Sequence, residues 1–461
     1  MNAKFVDMTA GARTYVAHLN TNVNFSGVAD AATRSDRKSA AWQTQRSAEQ
    51  SAMDSLTPRL DALKAAGLVQ DYELVSGTGQ LIINATAGKA GAAYQALQGL
   101  GELGRVLRNR EVLLDDQQQG TVAPTADPTV EWNVDKLGVQ KVWAAGDTGQ
   151  GVVIGMVDTG VNTQHEALKG HYRGTNADGT QTDDYNFYDP VGNKKVAYDD
   201  HNHGSHTAGT AVGGTADHLT GMAPGAKFIA TKVFTAGGSG STATILKGLG
   251  WMLAPTDSAG LNPDPTKAPD IVSNSWGSSD GKSLAYLDAL KAFEAAGIVP
   301  VFAAGNSGPR AGTVGSPGSL AQAVTIGATD KDDKVASFSS RGPSPIKDKD
   351  GNVVQKPDFS APGVDVISSG KDGNSYVKMS GTSMATPAAA GVIALLISKY
   401  PKLTTEQVRE VLAKSAGDVD APGTDLNTGA GRLDPVAAIA LADKLYGTPV
   451  PPAQPAPVAA A

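Results

Sequence analysis

The chain has 461 residues, with 39 Lys and Arg against 46 Asp and Glu for a formal charge of −7, 40% hydrophobic residues and no Cys. That is room for two or three domains and a large core. The mild acidity argues against nucleic acid or an anionic membrane as partner, and the lack of Cys excludes disulfides, thiolate catalysis and Cys-ligated metals. No run approaches the ~18 apolar residues of a membrane span, and no basic segment leads into an apolar run at the N-terminus.

Taken in chain order, Thr14 to Leu19 reads as a strand and Ala41 to Ala66 as a helix, for it is rich in helix formers. Tyr72 to Val75 and Gln80 to Ala85 form a strand pair around Gly77-Thr78-Gly79, Lys89 to Leu100 is a second helix, and Glu111 to Asp115 closes with a strand. The order β-α-β-β-α-β predicts a small ferredoxin-like α+β domain over 1–120. The polar, Gly- and Pro-punctuated stretch that follows, from Gln117 to Pro128, reads as an exposed linker, drawn at 121–129.

From Val130 to residue 447, short Val- and Ile-rich runs alternate with helices. The strands are Val152 to Val157, Phe228 to Phe234, Ile271 to Ser275, Val299 to Ala304 and Ala323 to Ile326; the helices are Ser241 to Leu253, Ser283 to Ala296 and Thr405 to Lys414. Strands apolar on both faces imply a doubly wound parallel α/β sheet, with functional groups at the carboxyl ends of its strands. The Pro- and Ala-rich tail 448–461 reads as disordered.

Four segments carry chemistry. Asp158 ends the first strand of this domain, within Asp158-Thr159-Gly160. His201, His203 and His206 fall together before Thr207-Ala208-Gly209, and three of only seven His in one short stretch suit either a general base or a metal site. Asn306 follows a buried strand, where an amide can donate to an oxyanion. Ser383 heads the apolar helix Ala388 to Ile397, where helix N–H groups favour developing negative charge. Alone, Asp158 and Asn306 read sooner as turn residues and Ser383 as a helix cap. Together, Asp158, His203, Asn306 and Ser383 are the parts of an acyl-transfer site. A metal-dependent hydrolase at the His cluster and an inactive binding homologue are the alternatives, and the residues alone leave open which His is the base.

Asp158-Thr159-Gly160, His203-Gly204-Ser205-His206-Thr207-Ala208-Gly209 and Gly381-Thr382-Ser383-Met384-Ala385-Thr386-Pro387 resemble the three signature blocks of the subtilases, the subtilisin-like serine peptidases. Val130 to Val134, Gly225 to Ala230, Trp251 to Pro255 and Asn274 to Gly277 look most like bacillopeptidase F relatives. The resemblance implies a subtilisin-like fold from 130 onward, preceded by a propeptide that is both chaperone and inhibitor. It implies that Asp158 orients His203, that His203 is base and then acid, that Ser383 is the nucleophile and that Asn306 is the oxyanion donor. It also implies that Gly238, Ser239 and Gly240, with Ser275, Trp276 and Gly277, pair with an extended substrate. Ala304, Gly305 and Gly315 would line the primary specificity pocket, Gly315 leaving it open to large apolar side chains. Ser205 and Thr207 stand where Thr and Val are commoner, changes expected to be neutral.

The expected partners are protein and peptide substrates and the chain's own propeptide. Neither nucleic acid nor membrane is expected, the chain should be a monomer, and it should be secreted and self-processed between Gln117 and Pro128. An intracellular subtilisin would carry a shorter propeptide. Catalysis needs no cofactor on this reading. A structural calcium ion belongs to the resemblance, but its ligands here are unknown, because Ala167 stands where many subtilisins have a ligating Asp.

Overall fold

The computed structural model describes residues 13–115, 117–122, 129–348 and 350–447. The expected tail at 448–461 and residues 123–128 of the expected linker lie outside them.

The first unit runs β1 (Thr14–Leu19), α1 (Arg34–Ala65), β2 (Val69–Val75), β3 (Gln80–Ala85), α2 (Ala90–Gln98) and β4 (Leu103–Arg108). Its antiparallel sheet has the order β2-β3-β1-β4. The period-two alternation decides what each face touches. Tyr15, Ala17, Leu81 and Ile83 meet Leu56 and Leu60 of α1 and Leu97 of α2, while Val16 and Ile82 point the other way into a second apolar cluster shared with the rest of the chain. Helix α1 begins seven residues before the expected Ala41, because the Thr33 side chain caps it by accepting from Asp36 N at 3.1 Å. The fourth strand also differs from expectation. It is Leu103–Arg108, whereas β5 (Glu111–Leu113) leaves the sheet altogether.

Two short strands follow, β6 (Gln117–Val122) and β7 (Thr129–Val130). The expectation of an irregular linker from 117 is therefore corrected: β6 is a paired strand, held by backbone hydrogen bonding that composition does not report. The second unit continues with α3 (Trp132–Leu137), α4 (Gln140–Ala144), β8 (Val153–Asp158), α5 (Glu166–Lys169), β9 (Phe187–Tyr188), α6 (His203–Val212), β10 (His218–Leu219), β11 (Lys227–Lys232), β12 (Ser239–Ser241) and α7 (Thr242–Leu253). It ends with β13 (Ile271–Asn274), α8 (Leu287–Ala296), β14 (Val299–Ala303), β15 (Val324–Thr329), β16 (Phe359–Pro362), β17 (Val366–Ser369), β18 (Tyr376–Ser380), α9 (Thr382–Lys399), α10 (Thr405–Ser415) and α11 (Pro435–Tyr446).

Strands β16-β15-β14-β13-β8-β11-β9 form one seven-stranded sheet, parallel throughout. Helices α6, α9, α10 and α11 cover one face; α7 and α8 cover the other and are in turn covered by the first unit's sheet through Val16, Val75 and Ile82. A buried ion pair crosses that second junction, with Lys38 Nζ donating to Asp270 Oδ1 at 2.8 Å and to Ala268 O at 2.9 Å. One described helix, Thr382–Lys399, is long and apolar enough to cross a membrane, and it lies buried against the sheet as the central core helix. Order along the sheet reverses at β8, with β11 on one side and β13 on the other, so the carboxyl ends of β8 and β13 flank a crevice.

Asp147 sits buried in the turn that precedes β8, its Oδ1 accepting from Gly149 N at 3.3 Å. Burial pushes its carboxyl up to about 6, from 3.8. A carboxyl with a raised folded-state pKa destabilises the fold fully above that pKa and not at all below the unfolded value. Asp147→Asn is thus expected to gain about 3 kcal/mol at pH 8. The gain should fade as pH falls from about 6 to 3.8. Thermal unfolding across that range checks it, and a gain that does not change with pH would refute the cause.

Candidate active site

Asp158 is the last residue of β8 and His203 the first of α6, so a strand end and a helix start deliver the two groups to one point. His203 Nδ1 lies 2.7 Å from Asp158 Oδ1, and both residues are 1% exposed. The carboxylate is held from three sides: Oδ1 also accepts from Thr159 N at 2.7 Å, and Oδ2 accepts from Thr207 Oγ1 at 3.2 Å. The helix start is stapled to the strand end. Gly204 N donates to Thr159 Oγ1 at 2.9 Å, and a Cβ on Gly204 would come 2.0 Å from Gly160 O, so only glycine permits this approach.

Asp199, which the sequence reading did not single out, ties the same corner. It accepts from Thr159 Oγ1 on one oxygen and from Ser205 N and Oγ on the other. Its signal in the sequence is only its closeness to the His block. The expectation that Ser205 and Thr207 are neutral changes of size is corrected here, since both hydroxyls are engaged. Thr207→Val should cost about 1 kcal/mol, roughly fivefold in kcat with KM little changed, because a hydrogen bond to the carboxylate that holds His203 is lost. Steady-state kinetics on a peptide substrate checks this, with Thr207→Ser as the restoring variant; a loss carried mainly by KM would contradict it.

The three clustered His separate. His206 Nε2 lies 3.0 Å from Val366 O, so this ring is engaged away from Asp158. The His201 ring lies 6.3 Å from that of His203, and burial, followed by the neighbouring His203, lowers its pKa. Among the described residues, no three His, Asp or Glu side chains gather as a metal ion would require. At the position where the resemblance puts a calcium ligand, Ala167 is fully buried, with its N–H bonded to His165 Nδ1 and its carbonyl to Gly214 N. It offers no carboxylate, so the residues there do not fit that ion.

Ser383 is the second residue of α9 and 3% exposed. Its Oγ donates to Ser275 O at 2.9 Å, and Ser275 Oγ donates back to Ser383 O at 2.8 Å, which locks the end of β13 to the head of α9. Asn306 reaches the same place from beyond β14. Its Oδ1 accepts from Thr382 N and Thr382 Oγ1, both at 2.9 Å, and this turns its Nδ2 outward. That Nδ2 donates to Asp115 O at 2.9 Å.

Gly238, Ser239 and Gly240 lie along an extended segment of the chain itself: β12 pairs antiparallel with β5, and Leu114 N donates to Gly238 O at 2.9 Å. The Trp276 side chain is buried instead, edge-on to Tyr286 and Phe302, so this residue can offer a substrate only its backbone. Gly277 leads into Ser278, which exchanges backbone hydrogen bonds with Ser316, while Gly315 N donates to Ala304 O and Gly305 N to Thr382 Oγ1. These segments form one continuous wall beside Ser383. Gly315 is not where that wall opens, however. A Cβ there would meet Ser278 O at 2.4 Å, so the glycine serves close backbone approach.

Comparison with known proteins decides the family: residues 149–431 match the model of the subtilase family. The chain belongs to the subtilase family. Over 298 residues it is 42% identical to bacillopeptidase F of Bacillus subtilis, a stretch covering 62% of this chain and 20% of that protein. It is 38% identical to the serine protease AprX of the same organism over 58% of this chain and 61% of that one. Subtilisin DY of Bacillus licheniformis is 34% identical over 62% of this chain and 92% of its own length. The matched stretch thus spans less than two thirds of the first two relatives, and the likeness to bacillopeptidase F agrees with the segments singled out in the sequence.

Proposed function

We propose that this subtilase is a secreted, monomeric serine endopeptidase made as a self-processing zymogen. In this reading residues 130–447 are the catalytic domain, 1–120 a ferredoxin-like propeptide that acts as chaperone and inhibitor, and 448–461 an appended tail. The observation that carries it is the buried 2.7 Å contact between His203 Nδ1 and Asp158 Oδ1, at the crevice that Ser383 and Asn306 also border. An imidazole that donates from Nδ1 to a carboxylate keeps Nε2 as an acceptor, the form a general base needs.

His203 takes the proton of Ser383 Oγ as that oxygen attacks the substrate carbonyl. Asn306, its amide pre-oriented by Thr382, donates to the oxygen as it becomes negative, in a site where no reorganisation is required at the moment of reaction. His203 then hands the proton to the departing amine, and water repeats the sequence on the ester. The chemistry uses no cofactor. Protein chains are the expected substrates, since recognition by pairing along Gly238 to Gly240 reads backbone and tolerates many sequences. The propeptide reading is supported by the sheet seated on α7 and α8 and by β5 lying along β12. An inhibitor that starts out tethered acts at high effective concentration.

The test is to incubate purified protein with casein, with and without a serine-phosphonylating reagent, and to read product termini by mass spectrometry. Internal cleavage abolished by the reagent is expected. Cleavage that survives the reagent and stops with a chelator would overturn the reading in favour of a metal-dependent hydrolase.

A further inference from the structure

We infer that the first bond this protein cuts is its own Asp115–Asp116 bond, two residues ahead of the window that composition suggested. The inference rests on the serine peptidase reading and fixes its first substrate. Four observations place Asp115 at the reacting position. Upstream, Asn109 and Arg110 are anchored to the start of α7, where Ala243 N donates to Asn109 Oδ1 at 2.9 Å and Thr242 N to Arg110 O at 2.8 Å. From there β5 runs antiparallel to β12, with Leu113 opposite Ser239, Val112 opposite Gly240 and Glu111 opposite Ser241, and Ser239 Oγ adds a bond to Glu111 Oε1 at 2.5 Å. At the end of this run Asp115 O receives the Asn306 amide at 2.9 Å, the donor that the mechanism assigns to the oxyanion. Downstream the chain pairs again, with Gln117 opposite Ser380 and Gln118 opposite Met379, three and four residues before the nucleophile. The segment is therefore gripped on both sides of Ser383, and the Asp115 carbonyl lies between the grips.

The side chains say what holds it. Val112 is 4% exposed and packs in the cluster of Phe234 and Trp276, Leu113 is 46% exposed, and Leu114 lies against the backbone of Gly238. Asp115 itself is exposed. Selection of this bond thus comes from strand register and the Val112 anchor, with no contribution from burying the residue before the cut. Moving a later carbonyl, such as that of Gln117, to Asn306 would require a two-residue slip that breaks the anchors at Asn109 and Arg110 and takes Val112 out of its site.

Ser383 Oγ bonds to the Asp115 carbonyl carbon, the bond to Asp116 N breaks, and the serine proton leaves on that nitrogen through His203. One water then hydrolyses the ester, leaving a carboxylate on Asp115 and an amine on Asp116. Because nucleophile and bond belong to one chain, the rate should not change on dilution.

The experiment follows the freshly refolded wild-type chain by intact mass at early times. The expected first products are one fragment ending at Asp115 and one starting at Asp116, their masses adding to the precursor plus one water, and Ser383→Ala should yield neither. Asp116→Pro should lose this pair, since a tertiary amide without N–H cannot be fitted as the leaving group, and Ala126→Pro should keep it. First fragments that meet anywhere else, or the same pair at an undiminished rate in Asp116→Pro, would overturn the assignment. Peptide hydrolysis blocked by the serine reagent, measured on the same sample, separates the two readings. If it is present while the first cut falls elsewhere, only the bond is wrong; if the chain neither cuts itself nor hydrolyses peptide, the peptidase reading fails as well.

Discussion

Ser383→Ala and His203→Ala are each expected to lower kcat by about 10⁵ to 10⁶, and the double variant should be little worse, because attack and proton transfer fail as one event. Asp158→Asn should cost about 10⁴, since an amide no longer selects the imidazole tautomer that leaves Nε2 as acceptor. Here the effect has a second part. Asp158 also accepts from Thr159 N and Thr207 Oγ1, so the amide must turn its NH2 toward one of these donors, which will loosen the strand-to-helix corner. Kinetics on a peptide substrate with the variants co-expressed beside a separate propeptide measures the chemical step without demanding self-processing. If His206→Ala abolished turnover and His203→Ala did not, the base would be misassigned; the contact between His206 and Val366 O predicts only a stability loss for the former.

Asn306→Leu should cut kcat by about 10² to 10³ with KM nearly unchanged, roughly 3 to 4 kcal/mol, because the donor meets full negative charge only in the transition state. The structure adds a stability cost to this, since Leu also strips the acceptor from Thr382 N and Thr382 Oγ1. About 1 to 3 kcal/mol of folding stability should go with it. The two effects are separable. Thermal unfolding reports the second, while kcat measured well below the melting range reports the first. A change carried mainly by KM would remove Asn306 from the oxyanion role.

The candidate site residues, and the kind of element each sits in, were legible in the chain, apart from the choice among the three clustered His. Asp158 follows a run of apolar residues, His203 and Ser383 open runs of small and apolar residues, and Gly204 marks a close backbone approach. These are local constraints, enforced by periodicity, capping and steric room over ten residues or so. The seven strands of the parallel sheet were only partly visible for the same reason: β8, β11, β13, β14 and β15 overlap the Val- and Ile-rich runs, whereas β9 and β16 contain neither residue.

What only the tertiary structure decided are contacts between residues far apart in sequence. Glu111 to Asp115 has the composition of an ordinary sheet strand, and nothing in it says that the fourth strand lies earlier, at Leu103–Arg108, or that this segment crosses to β12 more than a hundred residues later. The polar run from Gln117 reads as a linker because its pairing with β18 uses backbone groups that every sequence possesses. The choice among His201, His203 and His206 depends on which ring faces Asp158 across 45 residues of chain and which faces Val366 across 160. The working roles of Asp199 and Thr207, and the place of Gly315, turn likewise on a partner only a few ångströms away in space. Residue type limits what a group can do, but distance and direction choose its partner, and these are set only when the sheet closes and brings the strand ends together.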